Sequence, residues 1–439
     1  MYSAKTDGKV RRSWNLGFLF RPSTTLGTAI GGVLALALLF AFLAAATRPA
    51  QAQTETVLYS FCSEPNCVDG FGPNPDLVLD AQGNLYGTTI YSDPAACPYS
   101  PFSWCGVVFE VTPAGTETVI YAFDSFAGGL SPYGGLIQDA SGNFYGTTTL
   151  GGYDKKSCKY YGCGVVFEVT PTGRETVLYE SPRQSSFGPV GLAFDTQANL
   201  YVTTVGGALL ELGPAGGVTL LHKFPAYKGD GKYLSAGPVV DGLGNVYGTT
   251  MSGGHAGSWG KHRVCYGGCG TVFEVSAAGV ETIIHAFNGF QKKNADGADP
   301  EAGLILDAQG NLYGTTAWGG VYGQGTVFKL TPAGAETVLY SFTGLADGSE
   351  PVGSLVMDAQ GNLNGTTEYG GVYGYGTVFK LTPAGTETVL YSFTGSPDGA
   401  LPSDLVFDGQ GNLYGTTGAG GNVNSYCTAG CGVLFKITP

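Results

Sequence analysis

The sequence predicts an all-β protein, a seven-bladed β-propeller with four antiparallel strands in each blade. Three observations support this prediction. A heptad of the form GNLYGTT occurs seven times at spacings of 46 to 66 residues, the same short segments flank every copy, and the chain ends with complementary pieces of one repeat. A propeller arranges 4–8 four-stranded blades around a channel, and stacking buries the faces that a single blade leaves open.

Each repeat contains four short segments, here named strands A to D in chain order. Strand A is an apolar run ending in Asp (LVLD), strand B is NLYGTT, strand C is GTVFKLT and strand D is ETVLYSF. Segments this short, rich in Val, Leu, Phe, Tyr and Thr, are typical of β-strands. Asp-Ala-Gln-Gly-Asn between A and B, and Thr-Pro-Ala-Gly between C and D, have the composition of tight turns.

The two ends of the chain predict how the ring closes. Residues 55–61 form a strand D with no preceding A, B and C, whereas GVLFKITP at the C-terminus is a strand C that stops at its turn proline. We therefore expect residues 55–61 to pair with residues 432–437 and complete the seventh blade. This closure holds the ring together without a covalent link.

The repeat places an Asp at every A–B turn, and the seven together resemble a carboxylate array. An Asp at this position of a turn accepts hydrogen bonds from nearby backbone amides. Because a residue present in every blade serves the blade itself, we interpret the seven as turn caps: Asp80, Asp139, Asp195, Asp241, Asp307, Asp358 and Asp408.

Residues 1–52 have the features of a secretory signal peptide: a basic beginning, the apolar stretch 31–46 and the site Ala50-Gln51-Ala52. The alternative is an uncleaved signal anchor. Residues 53–439 then form a single propeller domain with 15 basic and 33 acidic residues, a net charge of about −18. This charge argues against nucleic acid as a partner. We expect a secreted, periplasmic or cell-surface monomer with no membrane span after cleavage.

The variable loops share one side of the predicted ring, since D–A and B–C loops lie opposite the tight A–B and C–D turns. Cysteines occur in these loops as five local pairs, which in an exported chain indicates disulfides. The alternative is a zinc site formed by His255, His262, Cys265 and Cys269. The disulfide pairs are Cys62/Cys67, Cys97/Cys105, Cys158/Cys163, Cys265/Cys269 and Cys427/Cys431.

Aromatic residues are frequent in the same loops, most of all in the matched sequences AWGGVYGQG and EYGGVYGYG of blades five and six. Tyr and Trp offer a large, stiff contact area with a polar tip, which suits a glycan or a protein partner. The alternative is local packing over glycine-rich loops. The candidate binding residues are Trp104, Trp259, Trp318, Tyr322, Tyr369, Tyr373 and Tyr375.

Three acidic residues of one D–A loop, Asp296, Asp299 and Glu301, lie close enough in sequence to bind Ca²⁺ through oxygen ligands. No EF-hand or repeated aspartate-glycine pattern accompanies them. Calcium is therefore a weak candidate, and we expect no other metal or cofactor.

The repeats resemble the GloVer tandem-repeat family, whose unit has the pattern YSF…DG…P…LVxDxxGNLYGTT…GTVFKLTPxG. The resemblance covers residues 54–439 and implies surface or secreted bacterial proteins with a propeller fold and no established activity. Copy three departs from the pattern, because Ala198 and Val202 replace glycines and its strand C is GALLELG.

Two classes of function remain open. The sequence favours a non-catalytic binding or scaffold module that recognises a glycan or an extracellular protein, because no GxSxG, HExxH or phosphate-binding glycine loop occurs after residue 52. The alternative is a lactonase, lyase or glycosidase with its site at the axial channel. Three or more polar side chains converging on the axis from different blades would favour the enzyme, and an axis of Gly, Thr and aliphatic residues would favour the binder.

Overall fold

The computed structural model describes residues 53–92, 97, 105–152, 163–182, 188–224, 231–254, 265, 268–289 and 296–438. These residues form a seven-bladed β-propeller with seven antiparallel sheets. In each blade strand A lies nearest the axis and strand D forms the outer edge. No helix in the described part of the chain has the length and apolar character needed to cross a bilayer.

The strands are numbered β1 to β30 in chain order. The first strand, β1 (Thr54–Ser60), belongs to the last blade and is followed by a short 3-10 turn at Pro65–Cys67. Blade one contains β2 (Phe71–Pro73), β3 (Val78–Leu79), β4 (Leu85–Tyr91), β5 (Val107–Val111) and β6 (Glu117–Ala122). Blade two contains β7 (Leu130–Pro132), β8 (Ile137–Gln138), β9 (Phe144–Leu150), β10 (Val165–Val169) and β11 (Glu175–Glu180). Blade three contains β12 (Pro189–Phe194), β13 (Leu200–Thr204), β14 (Ala208–Leu212) and β15 (Val218–Lys223).

Blades four to seven follow the same order. Blade four contains β16 (Val239–Val240), β17 (Val246–Thr250), β18 (Thr271–Val275) and β19 (Glu281–Ala286), and blade five contains β20 (Ile305–Leu306), β21 (Leu312–Thr316), β22 (Thr326–Leu330) and β23 (Glu336–Ser341). Blade six contains β24 (Val356–Met357), β25 (Leu363–Thr367), β26 (Thr377–Leu381) and β27 (Glu387–Ser392). Blade seven contains β28 (Ala400–Phe407), β29 (Leu413–Ala419) and β30 (Val433–Thr438), together with β1.

The predicted closure of the ring is confirmed. Strand β1 pairs antiparallel with β30, with Thr54 opposite Thr438 and Ser60 opposite Val433, so the seventh sheet has the order β1-β30-β29-β28. Closure also reaches the axis, where the Thr416 hydroxyl of blade seven donates a 3.0 Å hydrogen bond to the carbonyl of Asn74 in blade one.

The A–B turns have the hydrogen bonds that the sequence predicts. Oδ1 of Asp307 accepts from the amides of Gln309 and Asn311 at 2.9 and 2.8 Å, and its Oδ2 accepts from the Asn311 side chain at 2.7 Å and from the Tyr313 hydroxyl at 3.1 Å. Burial alone would raise the pKa of Asp307, but these bonds outweigh it and lower the pKa. The aspartate is therefore a charged turn cap, as in the other blades.

Phenylalanine pairs join neighbouring blades. A Phe at the end of strand D packs edge-on against the strand C Phe of the next blade, with ring centroids 4.6 to 5.1 Å apart at six described junctions. The strand B glycine makes room for the second ring, since a Cβ on Gly314 would lie 2.7 Å from Cζ of Phe328. The glycine of GNLYGTT is thus a packing requirement.

The third repeat lacks both the strand B glycine and the strand C phenylalanine. Val202 occupies the position of that glycine, and the residue opposite it in strand C is Leu210 instead of Phe. Both side chains belong to one buried apolar cluster. The Val side chain therefore fills space that the larger ring takes in the other blades. The second substitution, Ala198, keeps the left-handed backbone of the glycine it replaces, with φ of 63°.

Candidate functional site

The long loops of the described chain lie on one face of the ring, here called the loop face. The disulfides Cys97–Cys105, Cys265–Cys269 and Cys427–Cys431 are in B–C loops and Cys62–Cys67 is in the first D–A loop. Cys163 is also disulfide-bonded, and Cys158 lies outside the described residues. Across the closure, the Asn424 side chain contacts Sγ of Cys62 at 2.9 Å. The predicted disulfides are confirmed for these four pairs.

An axial pocket of about 630 Å³ opens toward the loop face. Its wall consists of the segments that precede strand A in all seven blades, together with residues at the ends of strands B. Much of this wall is glycine, proline and aliphatic. Four carboxylates from four different blades also line it: Asp76, Glu301, Glu368 and Asp404.

Part of the wall forms a hydrogen-bonded arc around the axis. The Gly303 amide donates to Oγ of Ser354 at 3.1 Å, and the Ser354 amide donates to Oδ1 of Asp404 at 2.5 Å. Asp404 in turn shares a hydrogen bond with Asp76. The arc spans blades five, six, seven and one, so it supports ring closure as well as lining the pocket.

The carboxyl pair Asp76–Asp404 holds a proton. Burial, the charge of Asp76 and the hydrogen bond between the two raise the pKa of Asp404 well above its usual value. Two carboxyl groups at hydrogen-bond distance need one proton between them. The pocket therefore contains a group that can donate or accept a proton.

A second acidic group lies at the wall contributed by blades five and six. Burial and the charges of Asp299, Glu368 and Glu350 raise the pKa of Glu301 to about 7. Burial raises the pKa of Asp299 to about 6 and also raises that of Glu368. Glu301 and Asp299 therefore change charge near neutral pH, so the pocket mouth is more negative in mild alkali than in mild acid.

Asp299 and Glu350 occupy equivalent positions, one residue before a proline in successive D–A loops, and both have left-handed backbones with φ of 52° and 55°. Side chains other than Gly, Asn and Asp seldom adopt this conformation. The equivalent residues of other blades include Ser131, Tyr233 and Leu401, with φ of 56°, 62° and 59°. The position is thus fixed by the fold while its side chain varies from blade to blade.

Four predicted tyrosines lie exposed on the loops of blades five and six. Tyr322 and Tyr373 are 60% and 59% exposed, and Tyr369 and Tyr375 are 40% and 46% exposed. The charge of Glu368, burial and a hydrogen bond to Glu368 raise the pKa of Tyr369, which places the Tyr369 ring beside a pocket carboxylate. Tyr322 and Tyr373 lie farther out, close enough to Tyr340 and Tyr391 of strands D to raise the pKa of those two residues. We name the four loop residues the tyrosine patch.

The other predicted aromatics differ. Trp318 packs against a buried apolar cluster that contains Phe287 and Ala298, and its backbone pairs with Ala298. It therefore supports the loop more than it presents a surface. Trp104 and Trp259 lie outside the described residues.

The three residues of the weak calcium candidate, Asp296, Asp299 and Glu301, make different contacts in the structure. Asp296 turns its carboxylate to Asn288 and His285, with distances of 2.9 and 3.2 Å from Oδ2. Asp299 and Glu301 are instead coupled to each other by charge near the axis. Calcium at these three residues remains a prediction.

A different acidic contact recurs at the outer edge, between neighbouring blades. Between blades six and seven the hydroxyl of Tyr391, in β27, donates to Asp398 at 2.6 Å, and strand D of blade seven contributes Glu55. Burial and the charge of Asp398 raise the pKa of Glu55 to about 7. The same arrangement links Asp69 with Glu117 and Asp347 with Glu387. Its Tyr, Asp and Glu are all repeat residues, so the sequence contained the signal.

The chain is a seven-bladed β-propeller with a polar axial pocket and a loop face that carries tyrosines and carboxylates. Residues 261–439 match the family model described as the Gloeobacter/Verrucomicrobia repeat. The repeat is thus identified over residues 261–439, which confirms the resemblance to the GloVer family for that part of the chain. No curated protein matches the sequence.

Solved structures with the same fold include virginiamycin B lyase from Staphylococcus aureus, with 12% identity, a TM-score of 0.54 and coverage of 88% of this chain and 99% of that one. A catalytically inactive variant of that lyase with quinupristin gives 12% identity, a TM-score of 0.55 and the same coverage. The extracellular domain of a putative one-component system from B. thetaiotaomicron gives 11% identity and a TM-score of 0.50, covering 88% of this chain and 40% of that one. At such low identity the likeness shows the fold alone.

Proposed function

We propose that the protein is an exported, non-catalytic propeller that binds a glycan on its loop face. The observation that carries the proposal is the exposed tyrosine patch on the loops of blades five and six, in which Tyr369 lies beside the pocket carboxylate Glu368. Disulfides and the repeat family support export, because disulfides persist in oxidising compartments.

Sugar rings present apolar faces and hydroxyl edges, and the two halves of the site match these features. Exposed Tyr322 and Tyr373 offer flat apolar surface for a sugar face. Glu368 and Glu301 offer carboxylate oxygens that accept hydrogen bonds from hydroxyl groups, and such charge-assisted bonds are among the stronger ones. A ligand that touches both halves spans from the rim of blades five and six to the axis.

The test is glycan-array screening of the oxidised protein, followed by calorimetry with the best ligand. Tyr322→Ala and Tyr373→Ala each weaken binding about tenfold or more, since a stacked aromatic group contributes on the order of 1.5 kcal/mol. The matched control is Leu243→Ala, an exposed apolar residue on the opposite, tight-turn face. Absence of binding to every arrayed glycan, or equal loss in the control, contradicts the proposal.

A second candidate is an enzyme that uses the axial pocket. The specific observation is the convergence of four carboxylates from four blades, which exceeds the three that would favour an enzyme. The proton held by Asp76–Asp404 and the near-neutral pKa of Glu301 provide an acid and a base of the kind that lyases and glycosidases use. The glycine-rich remainder of the wall favours the binder.

One experiment distinguishes the non-catalytic binder from the enzyme. The bound glycan is incubated with the protein for a day at several pH values, and its products are analysed by mass spectrometry. The binder leaves the glycan intact. Cleavage that is lost in Glu301→Gln but retained in Tyr322→Ala at saturating glycan assigns the pocket to catalysis.

A further inference from the structure

Between blades four and five, the recurring Tyr–Asp–Glu contact at the outer edge has a histidine in place of the tyrosine. His285 of β19 stands where five of the other six strands D have Tyr and blade three has His222. Nε2 of His285 lies 3.2 Å from Oδ2 of Asp296. Glu336 of β23 completes the group. The three side chains can each offer one ligand atom, and those atoms lie within 4.8 Å of one another.

We propose that His285, Asp296 and Glu336 form a site for a divalent transition-metal ion such as Zn²⁺, which links blades four and five at their outer strands. One imidazole nitrogen and two carboxylate oxygens are a common three-residue ligand set for zinc, with a fourth position left to water. Bonds of about 2.0–2.2 Å around a tetrahedral ion separate neighbouring ligand atoms by roughly 3.4 Å. The His285–Asp296 distance already fits this geometry.

The surroundings hold the ligands in place. Asp296 accepts hydrogen bonds from the Asn288 amide at 2.8 Å and the Asn288 side chain at 2.9 Å, which orient its carboxylate. The His285 ring packs edge-on against Phe287, with centroids 4.8 Å apart. Outer contacts of this kind are usual around metal ligands.

Glu336 shares one feature with the equivalent Glu55, Glu117 and Glu387 of the sister contacts. Its Oε1 is buried and has no hydrogen-bond partner in the described structure. A buried polar atom without a partner is costly, and an ion would satisfy it. The side chain of His285 is 15% exposed, so the group is reachable from solvent.

The sister contact between blades five and six is a natural control. There Tyr340 donates a 3.0 Å hydrogen bond to Asp347 beside Glu387, and burial together with nearby charges raises the pKa of Tyr340. A phenol that keeps its proton is a donor and a poor metal ligand. Unlike the Tyr340 contact, the His285 site therefore combines two carboxylates with an imidazole nitrogen.

The experiment measures Zn²⁺ binding to the oxidised full chain by calorimetry and elemental analysis after treatment with a chelator. We expect one Zn²⁺ per chain and a rise in the thermal unfolding midpoint, because an ion that binds only the folded state stabilises it. His285→Tyr, which installs the residue of the sister blades, and Glu336→Gln each abolish the stoichiometric binding and the rise. Tyr340→Phe leaves both unchanged.

Separate controls exclude the other three histidines. His222→Tyr retains the bound Zn²⁺ and the stabilisation. His255→Ala combined with His262→Ala retains the bound Zn²⁺ and the stabilisation. The proposal is overturned if this double variant loses the ion, or if folded His285→Tyr and Glu336→Gln proteins bind Zn²⁺ like the parent. It is likewise overturned if the parent takes up no stoichiometric Zn²⁺, and none of these outcomes bears on glycan binding.

Discussion

Val57 of the first described strand lies opposite Phe435 of the last, in the antiparallel ladder that joins the two ends of the propeller. Val57 also packs against the buried cluster of blade seven that contains Leu413 and Ile437. One strand therefore supplies both the outer hydrogen bonds and part of the core of the closing blade.

The first prediction concerns this closure. Val57→Asp places a charge against the apolar cluster and lowers the free energy of unfolding by about 2–3 kcal/mol. Thr56→Asp, on the exposed face of the same strand, changes it by less than about 0.5 kcal/mol. Denaturant unfolding of the two variants makes the comparison, and equal effects would show that β1 does not pack as described.

The second prediction concerns the glycine of strand B. Gly314→Val drives a side chain into the Phe328 ring and costs roughly 3 kcal/mol, whereas Phe328→Leu costs about 1–2 kcal/mol. The double variant reproduces the Val-Leu combination of blade three, so it is more stable than the sum of the single effects predicts, by about 1–2 kcal/mol. A double-mutant cycle measures this coupling, and strict additivity would refute it.

The third prediction is a pH dependence. Burial, with nearby carboxylate charges, raises the pKa of Glu55, Glu117 and Glu387 from 4.5 to about 7. An acid whose pKa is higher in the folded state stabilises the fold below its unfolded pKa, and this contribution is lost as pH rises through 7. The thermal unfolding midpoint therefore falls between about pH 5 and pH 8.

The A–B turn aspartates act in the opposite direction, since their folded pKa is lowered from 3.8. Their contribution is present above that value and is lost as pH falls further, so stability declines again in strong acid. Glu387→Gln makes the slope between pH 5 and pH 8 shallower. A slope unchanged in that variant would show that Glu387 does not titrate on unfolding.

The fourth prediction concerns the disulfides. In each described pair the two cysteines are 4 to 8 positions apart in the sequence, so no described disulfide joins one blade to another. Cys265→Ser combined with Cys269→Ser costs about 2 kcal/mol by the loop-entropy estimate and preserves the β-sheet circular dichroism spectrum. Loss of that spectrum would mean that the ring depends on this bridge.

Features that repeat were predictable from sequence, because seven copies separate the residues a blade needs from those that vary. The fold, the closure by residues 55–61, the Asp turn caps and the disulfides all follow from the repeat. His285 keeps the edge-on contact with the following Phe that Tyr makes in sister blades, but its contact with Asp296 depends on a loop that varies between the repeats.

The axial pocket could not be predicted in the same way. Asp76 and Asp404 share a hydrogen bond although they lie near opposite ends of the chain. Asp76 lies between β2 and β3, and Asp404 lies within β28. Only closure of the ring brings blades seven and one together. The near-neutral pKa of Glu301 likewise depends on Glu368 and Glu350, which come from the next blade.

Thr54 and Thr438 face each other at the outer edge of the tight-turn face. Strands β30 and β1 are therefore paired like the strands C and D of any other blade, but without the turn that connects them there. In a variant without residues 1–53, a short linker from Thr438 to Thr54, with a new opening at the hairpin after Leu330 or Leu381, would yield a circular permutant with every blade-to-blade contact intact. The order in which the blades leave the ribosome is thus separable from the architecture they build.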